Sequence, residues 1–279
     1  MPELPEVETM VRGIRPAMQG SKLVELRACP CTKKPLNVTP ALEEFTQRVR
    51  GQKVEAVERK AKRIVIRLKE DVIVFEPRMT GLALLTDPPS LEHLRFEFCL
   101  TRGKQKQSVW IWDRRGLGTL RLMSHQEFDV ALGENVLGPD ALEISVDELL
   151  ARLKETKRAI KVALLDQKLI AGVGNLYASE ILHEAKISPV AEASKLSRQR
   201  VDRIHKAMNR ILREAIQYEG STLNDGTYRN ALNQNGSYQN KHCVYAKEGE
   251  PCKTCETSSI RRIVQAQRST FYCPKCQKR

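Results

Sequence analysis

Three features that the sequence lacks narrow its class. Aromatic residues make up only 5% of the 279 residues, which argues against a platform of rings for stacking single-stranded bases. No apolar run approaches the roughly 20 residues that a membrane-spanning helix needs. The opening MPELPEVETM has acids where a secretion signal has positive charge, and it has no apolar core. We therefore expect a cytoplasmic protein.

Negative charge is also in deficit. The chain has 34 Asp and Glu against 47 Lys and Arg, so its formal net charge is +13 and its isoelectric point is near 9.5. An excess of this size in a compact chain favours a polyanionic partner, most often nucleic acid. Charge alone leaves open a basic protein that is merely soluble.

The pattern of apolar residues predicts a helix, a β-rich region and a helical region in turn. The apolar residues of the first helix recur at steps of three and four: Leu4, Val7, Val11, Ile14 and Met18. Short β-rich runs from about residue 22 to 123 predict a β-sandwich or a flattened barrel. After a linker with Gly and Pro, helical segments continue to about residue 217, and Ser197 is the expected N-cap of the last one.

A polar segment follows the last helix. Its sequence, GSTLNDGTYRNALNQNGSYQ, is rich in Asn, Gly and Ser, and we expect it to be too polar to pack as a core. Loops of about 20 residues without secondary structure are usually either disordered or functional lids.

Four of the eight cysteines are grouped near the C-terminus. Cys252 and Cys255 form one C-x2-C pair, and Cys273 and Cys276 form another, with 17 residues between the pairs. This spacing is typical of a closed tetrahedral site in which four thiolates bind a structural zinc ion. Two disulfides are the alternative, which a cytoplasmic location disfavours. The residues between the pairs alternate as a hairpin does and include arginines suited to binding phosphate.

The second strong motif is DQKLIAGVGNLYASEIL. Gly172 and Gly174 interrupt an apolar run just before a helix that we expect to begin near Asn175. A glycine-lined turn at a helix N-terminus exposes backbone N–H groups that can bind phosphate. The preceding residues are helical and a third glycine is missing, which argues against a dinucleotide-binding loop. A tight crossing of two helices, which also needs small residues, is the alternative.

Three motifs, MPELPEVET, AGVGNLYASE and EPCKTCE…QRSTFYCPKC, together resemble the formamidopyrimidine-DNA glycosylase family, which excises oxidised purines. The resemblance covers essentially the whole chain and implies a multidomain α+β protein. Its parts would be an N-terminal helix and catalytic β-sandwich domain (1–131), a linker (132–145), a helix–two-turn–helix DNA-binding domain (146–240) with a lid loop (221–239), and a zinc-finger β-hairpin (241–279). The resemblance also implies one structural zinc ion, damaged double-stranded DNA as the partner, and a monomer associated with the bacterial nucleoid.

For catalysis, the resemblance implies a glycosylase that is also an apurinic/apyrimidinic-site (AP) lyase acting by β- and δ-elimination. Met1 would be removed, and the terminal amine of Pro2, with a pKa of roughly 8, would attack C1′ of the damaged nucleotide. Glu3 would protonate the sugar ring oxygen or shuttle protons, and Glu6 would orient the helix and the amine. Lys62 would contact a phosphate near the lesion. Considered alone, Pro2 and Glu3 are also consistent with an ordinary helix start.

For DNA binding, the resemblance implies that Met79 fills the gap left by the flipped base, together with Arg115, which reads the orphaned base, and Leu117. In DRRGLG, Leu117 stands where the family usually has phenylalanine. Considered alone, Met79 is also consistent with ordinary core filling. The resemblance implies further DNA contacts by four residues: His93, Lys161 near the damaged base, and Asn175 and Arg268 on phosphates.

Two more departures from the family pattern lie in FEPRMTG. Glu76 stands where the family usually has histidine, and Arg78 stands where it usually has glycine. These substitutions bear on opposite-base preference and turnover more than on the reaction. Two rival functions remain from the sequence: a preference for oxidised pyrimidines, and a damage-binding protein without turnover.

Overall fold

The computed structural model describes residues 2–278 and divides into two compact units. The first holds the residues up to Gly133 together with Ile216–Gln239, and the second holds Glu134–Ala215 and the residues from Asn240 onward. Met1, whose removal is predicted, lies outside the described residues. The four-part division made from the sequence stays a prediction. The structure adds that the polar segment after the last long helix belongs to the first unit.

The first unit contains two β-sheets and three helices. The helices are α1 (Leu4–Met18), α2 (Leu42–Val49) and α3 (His125–Leu132), and the strands are β1 (Lys22–Ala28), β2 (Asn37–Thr39), β3 (Val54–Lys60), β4 (Arg63–Leu68), β5 (Asp71–Glu76), β6 (Gly81–Leu84), β7 (Leu94–Arg102), β8 (Gln105–Asp113) and β9 (Thr119–Ser124). One sheet has the order β1-β7-β8-β6, and the other has the order β2-β9-β5-β4-β3. Neighbouring strands are antiparallel except for β2 and β9, which are parallel. The predicted β-sandwich is confirmed.

One apolar core joins both sheets to α1. The predicted N-terminal helix is confirmed, and all five residues of its apolar pattern are buried. Polar contacts add to the packing: Arg15 Nε donates to the Val57 carbonyl at 2.8 Å, and Glu8 pairs with Arg59 at 3.1 Å. The sequence pattern misses α2, because an eight-residue helix with two buried apolar side chains, Phe45 and Val49, is too short to show its period.

In the part of the chain that the structure describes, the remaining α-helices and strands are four helices and the two strands of a hairpin. They are α4 (Val146–Lys154), α5 (Ile160–Leu164), α6 (Asn175–Glu184), α7 (Arg198–Gln217), β10 (Arg261–Gln265) and β11 (Arg268–Tyr272). The predicted cap of α7 is confirmed, since Ser197 Oγ accepts a hydrogen bond from the Arg200 N–H at 3.4 Å. Within residues 2–278, no helix combines the length and apolarity that crossing a membrane requires.

The expectation that the polar segment after α7 does not pack as a core is wrong. Tyr228 is 4% exposed and Ala231 is 2% exposed, and both belong to the core that joins the sheets and α1. Hydrogen bonds within the segment compensate its polar groups: Thr222 Oγ1 donates to the Tyr228 carbonyl at 2.8 Å, and Asn230 Nδ2 donates to Glu219 at 2.9 Å. Because its buried polar atoms have hydrogen-bond partners, this polar segment can be ordered around two apolar residues, Tyr228 and Ala231.

Replacing Phe98 with alanine should lower the free energy of unfolding of the first unit by about 3–5 kcal/mol, because the change removes buried apolar surface and leaves a cavity. Phe98 is 1% exposed in the core. The control Leu91→Ala, at a side chain that is 74% exposed, should change the free energy by less than about 0.5 kcal/mol. Urea unfolding followed by circular dichroism measures both. Equal losses would contradict the assignment of the core.

Candidate nucleic-acid interface and metal centre

The first turn of α1 brings three of the predicted catalytic residues together. Pro2 is buried, and Glu3 and Glu6 are each 3% exposed. The two glutamates form a capping box, in which Glu6 Oε2 accepts a hydrogen bond from the Glu3 N–H at 2.9 Å and the Glu3 side chain accepts one from the Glu6 N–H. The backbone of this turn therefore fixes both carboxyl groups beside Pro2.

The polar segment after α7 is docked on the same turn. Glu6 Oε1 accepts a hydrogen bond from the Ser221 N–H at 2.9 Å, and the Tyr228 hydroxyl lies 3.4 Å from the Glu6 carbonyl oxygen and 3.0 Å from that of Glu219. Burial, together with the nearby Glu6, raises the pKa of Tyr228 well above its ordinary value, so its hydroxyl keeps its proton. Gly220 has a φ of +79°, and a Cβ there would lie 2.9 Å from Glu6 Cγ. One carboxylate thus joins the helix start to the segment predicted to be a lid.

A second contact of this segment explains a glycine inside α1. A Cβ at Gly13 would lie 2.3 Å from the Cβ of Ala231, whose carbonyl accepts a hydrogen bond from the Leu85 N–H at 2.8 Å. Glycine in a helix interior costs about 1 kcal/mol relative to alanine, so its presence in MVRGIRPAM indicates a close approach. The sequence analysis missed Gly13, Ser221 and Tyr228, and the isolated glycine is the feature that could have revealed the first of them.

Lys62 lies in the turn between β3 and β4 and is half-buried. Beside this turn, Glu76 and Arg78 form an ion pair with each other. Glu76 contacts Arg78 at 3.0 Å through one carboxylate oxygen and Arg63 at 3.1 Å through the other. Arg78 has a φ of +53°, in the left-handed region that favours glycine.

Met79, Arg115 and Leu117 lie on two neighbouring turns. Met79, between β5 and β6, is 38% exposed, which excludes ordinary core filling. Arg115 is exposed and Leu117 is half-buried in the turn between β8 and β9. The Arg115 N–H donates to Thr80 Oγ1 at 3.0 Å, so the structure brings the two turns together.

His93 ends a short 3-10 turn, Leu91–His93, that precedes β7. Its ring packs edge-on against Trp112, with ring centroids 5.6 Å apart, and its Nε2 lies 2.9 Å from a Glu92 carboxylate oxygen. Its Nδ1 is buried without a hydrogen-bond partner among residues 2–278. Contact of His93 with DNA stays a prediction.

The predicted glycine turn before α6 is confirmed. Gly172 has a φ of +105°, and its N–H donates to Gln167 Oε1 at 2.9 Å. Gln167 Nε2 also donates to the Val173 carbonyl at 2.9 Å, which closes the turn from within. Gly174 is the N-cap, and α6 begins at Asn175. The N-terminal end of a ten-residue helix thus follows a turn held by a single glutamine side chain.

Lys161 joins Asn175 to the hairpin. Its side chain is fully buried, and its Nζ donates to Asn175 Oδ1 at 2.6 Å, to the Ser269 carbonyl at 3.1 Å and to Thr270 Oγ1 at 2.7 Å. Asn175 Nδ2 donates to the same Ser269 carbonyl at 3.0 Å, and the exposed Arg268 is the preceding residue of β11. Asn175 and Arg268 are therefore brought to one surface, with Lys161 beneath it. The contact of Lys161 near a damaged base stays a prediction.

The four C-terminal cysteines form a metal centre. Their Sγ atoms all lie within 4.8 Å of one another, with Cys252 and Cys276 3.8 Å apart and Cys255 and Cys273 3.7 Å apart. A tetrahedron with zinc–sulfur bonds of about 2.3 Å has edges of about 3.8 Å, so the four sulfurs fit a zinc ion. Burial raises the pKa of Cys273 and Cys276, whereas hydrogen bonds with Thr257 lower the pKa of Cys255 to about 6. The predicted structural zinc site is confirmed.

Two residues of α6 that the sequence analysis missed support the metal centre. The Glu180 carboxylate accepts backbone N–H groups at 2.7 to 3.0 Å from three consecutive residues: Cys243, Val244 and Tyr245. Burial raises the pKa of Glu180, and these three donors oppose that change. His183 lies one turn along α6, with its Nε2 3.6 Å from Cys252 Sγ. The spacing of Glu180 and His183 on one face is visible in SEILH, but their partners are not.

Three family profiles match the chain and together span most of it. The profile described as formamidopyrimidine-DNA glycosylase N-terminal domain matches residues 1–120, and that of the formamidopyrimidine-DNA glycosylase H2TH domain matches residues 137–227. The profile described as zinc finger found in FPG and IleRS matches residues 249–279.

Full-length relatives agree with these profiles. The formamidopyrimidine-DNA glycosylase of Chloroflexus aurantiacus is 37% identical over 282 residues, which cover 99% of this chain and 98% of the relative. That of Bacillus subtilis is 37% identical over 283 residues, which cover 99% of both. Among solved structures, the MutM (Fpg) protein of Thermus thermophilus superposes with a TM-score of 0.85 at 33% identity, covering 99% of this chain and 98% of that one. Fpg of Lactococcus lactis in complex with DNA containing an abasic site gives a TM-score of 0.85 at 28% identity, covering 99% and 100%.

Purified protein should contain about one zinc ion per chain, and chelation should unfold the hairpin, because zinc binding supplies much of the folding free energy of such small modules. Elemental analysis measures the metal, and hydrogen exchange measures protection in β10 and β11. Cys273→Ser should lose both zinc and protection. Cys99→Ser, which changes a cysteine outside the cluster, should keep both. Full protection in demonstrably zinc-free protein would contradict the structural role of the metal.

Proposed function

Because this chain belongs to the formamidopyrimidine-DNA glycosylase family, we propose that it excises oxidised purines such as 8-oxoguanine from duplex DNA through a covalent bond to Pro2. It is a DNA glycosylase of base-excision repair that acts on damaged DNA, and it carries one structural zinc ion. The assignment of the chemistry to Pro2 rests above all on the capping box that holds Glu3 and Glu6 beside it.

The proposed reaction begins at the amine of Pro2 once Met1 has been removed. Pro2 is buried, and burial disfavours the charged form of an amine, which favours a neutral nucleophile. The amine nitrogen bonds to C1′ as the bond from C1′ to the base breaks, and the base leaves with a proton. Glu3 then protonates the ring oxygen, the bond from C1′ to that oxygen breaks, and the nitrogen lone pair forms an iminium.

The iminium makes the strand cleavage possible. It withdraws electrons from C2′, whose proton is lost as the 3′-phosphate leaves in β-elimination, and the 5′-phosphate leaves in a subsequent δ-elimination. Addition of water to the remaining iminium releases Pro2 and frees the sugar fragment as an unsaturated aldehyde. Glu6 holds the Glu3 N–H and thereby orients the turn that carries both groups. The product is a one-nucleoside gap with a phosphate on each side.

Phosphate binding is assigned to Lys62, Asn175 and Arg268. Lys62, in the turn between β3 and β4, contacts a phosphate near the lesion. Asn175 and Arg268 also contact DNA phosphates, and the backbone N–H groups at the start of α6 favour negative charge there. The net charge of +13 supports such an interface.

Met79, Arg115 and Leu117 are assigned to the gap that base flipping leaves. The exposure of Met79 and its proximity to the Arg115 turn support this role. Leu117 acts as an apolar wedge that lacks a ring for stacking. This difference from the family keeps oxidised pyrimidines as a second candidate class of lesion. The proposal extends to a monomer that works on the nucleoid in the cytoplasm of a bacterial cell.

Borohydride should trap wild-type protein on a duplex with 8-oxoguanine opposite cytosine, and peptide mapping should place the DNA on Pro2. Pro2→Gly and Glu3→Gln should lower the trapped yield by about 100-fold or more, because nucleophile position or proton transfer is lost. Glu43→Gln, at an exposed acid of α2, is the matched control for Glu3→Gln. If wild-type protein without Met1 binds the duplex but forms no adduct, the protein is a damage-binding protein.

The affinity for damaged duplex should fall steeply with salt, because each neutralised phosphate releases a counterion. Lys62→Ala and Arg268→Ala should each reduce the slope of log affinity against log salt by about 1, whereas Asn175→Ala should weaken binding at constant slope. Lys104→Ala, in the turn between β7 and β8, is the control. Fluorescence anisotropy across a salt series measures the slopes, and a flat line for wild type would refute the phosphate assignments.

A further inference from the structure

One buried carboxylate connects the two turns that carry Met79, Arg115 and Leu117. Asp113, the last residue of β8, is fully buried. Its Oδ1 accepts hydrogen bonds from Thr80 Oγ1 and, at 3.1 Å, from the Arg115 N–H. Its Oδ2 accepts the Gly118 N–H at 2.8 Å. The first donor belongs to the turn of Met79, and the other two flank Leu117 in the second turn.

Thr80 completes the connection. Its hydroxyl donates to Asp113 and also accepts the Arg115 N–H at 3.0 Å, so it is bonded to both the carboxylate and the second turn. Thr80 is 3% exposed, and its position directly after Met79 makes the bond a constraint on where Met79 points. Of the three hydrogen bonds described for the Asp113 carboxylate, only the one from the Thr80 hydroxyl comes from the turn of Met79. Removing this hydroxyl would therefore break that link.

The backbone of Asp113 is held independently of its side chain. Arg95, which is 3% exposed, donates to the Asp113 carbonyl from Nε at 2.9 Å and from Nη2 at 2.7 Å. Because Arg95 fixes the backbone of Asp113, the carboxylate has a fixed position from which it can hold both turns. Gly118 can come this close to the carboxylate because it has no Cβ. A Cβ at this position would lie only 3.0 Å from Asp113 Oδ2.

We infer that Asp113 and Thr80 are positioning residues that fix the spacing between Met79 and the Arg115–Leu117 turn, and that this spacing determines opposite-base discrimination. The inference rests on the proposed function of these turns. Arg115 distinguishes bases by hydrogen bonds, whose energies depend on placement within a fraction of an ångström. Leu117 cannot hold the gap by stacking, so the rigidity of the two turns carries more of the selection.

The decisive variants are Thr80→Val, which removes only the bridging hydroxyl, and Thr80→Ser, which restores it. Single-turnover excision of 8-oxoguanine opposite cytosine and opposite adenine gives the discrimination ratio. Borohydride trapping of the same variant on a single-stranded AP site, a substrate with no opposite base, is measured separately and shows whether the chemistry at Pro2 has changed. Thr80→Val should lower the ratio by about tenfold or more, and Thr80→Ser should restore it. Asp113→Asn should behave like Thr80→Val.

A matched control separates positioning from loss of stability. Thr46→Val removes one hydrogen bond, from Thr46 Oγ1 to the Leu26 carbonyl at 3.1 Å, in the same unit. It should leave the discrimination ratio within twofold of wild type. If Asp113→Asn does not fold, the Thr80 pair decides alone. A ratio within twofold of wild type in folded Thr80→Val would overturn the inference.

A second measurement keeps this test independent of the Pro2 chemistry. The fluorescence of 2-aminopurine, placed beside the lesion in a duplex, reports how far the protein unstacks the gap without any bond being broken. Thr80→Val should reduce the fluorescence rise on binding, and Thr80→Ser should not. If wild type traps on no substrate, the proposed chemistry fails, and the fluorescence result then decides the positioning role alone. An unchanged rise in Thr80→Val would overturn it.

Discussion

A buried carboxylate that accepts backbone N–H groups from a distant segment is the interaction on which this structure depends. Glu6 holds Ser221, Asp113 holds the turn at Gly118, and Glu180 holds the segment that leads into the zinc finger. Hydrogen bonds to an ionised acceptor are roughly twice as strong as neutral ones. Removing such an acceptor would leave buried N–H donors unpaired. Each carboxylate is therefore needed to keep the segment that it holds in its folded position.

These three carboxylates lie under three irregular parts of the chain: the start of α1 with the polar segment docked on it, the two turns that carry Met79, Arg115 and Leu117, and the metal centre. The β-sandwich and the helices supply rigid positions, and the carboxylates transmit those positions to the loops. Lys161 does the same with the opposite charge, since its buried ammonium joins Asn175 to the hairpin.

The departures from the family pattern become intelligible as a group. Glu76 forms ion pairs with both Arg63 and Arg78, which compensate its charge. Arg78 accepts a left-handed backbone that glycine would adopt without strain. Leu117 lacks a ring for stacking, and no other side chain among the described residues replaces that ring. The hydrogen-bonded connection between its turn and the turn of Met79 is therefore more important.

The sequence by itself determined the strands of the sandwich, the helix at the N-terminus, the glycine turn before Asn175 and the zinc cysteines. Each depends on apolar period, turn residues or spacing, which are local properties. It did not reveal α2, the packing of Tyr228, or the partners of Lys161. Only the tertiary structure decided that Glu6 meets Ser221, 215 positions away, and that Lys161 meets Thr270, 109 positions away. Such hydrogen bonds form because packing brings distant donors and acceptors together, and no local pattern encodes that choice.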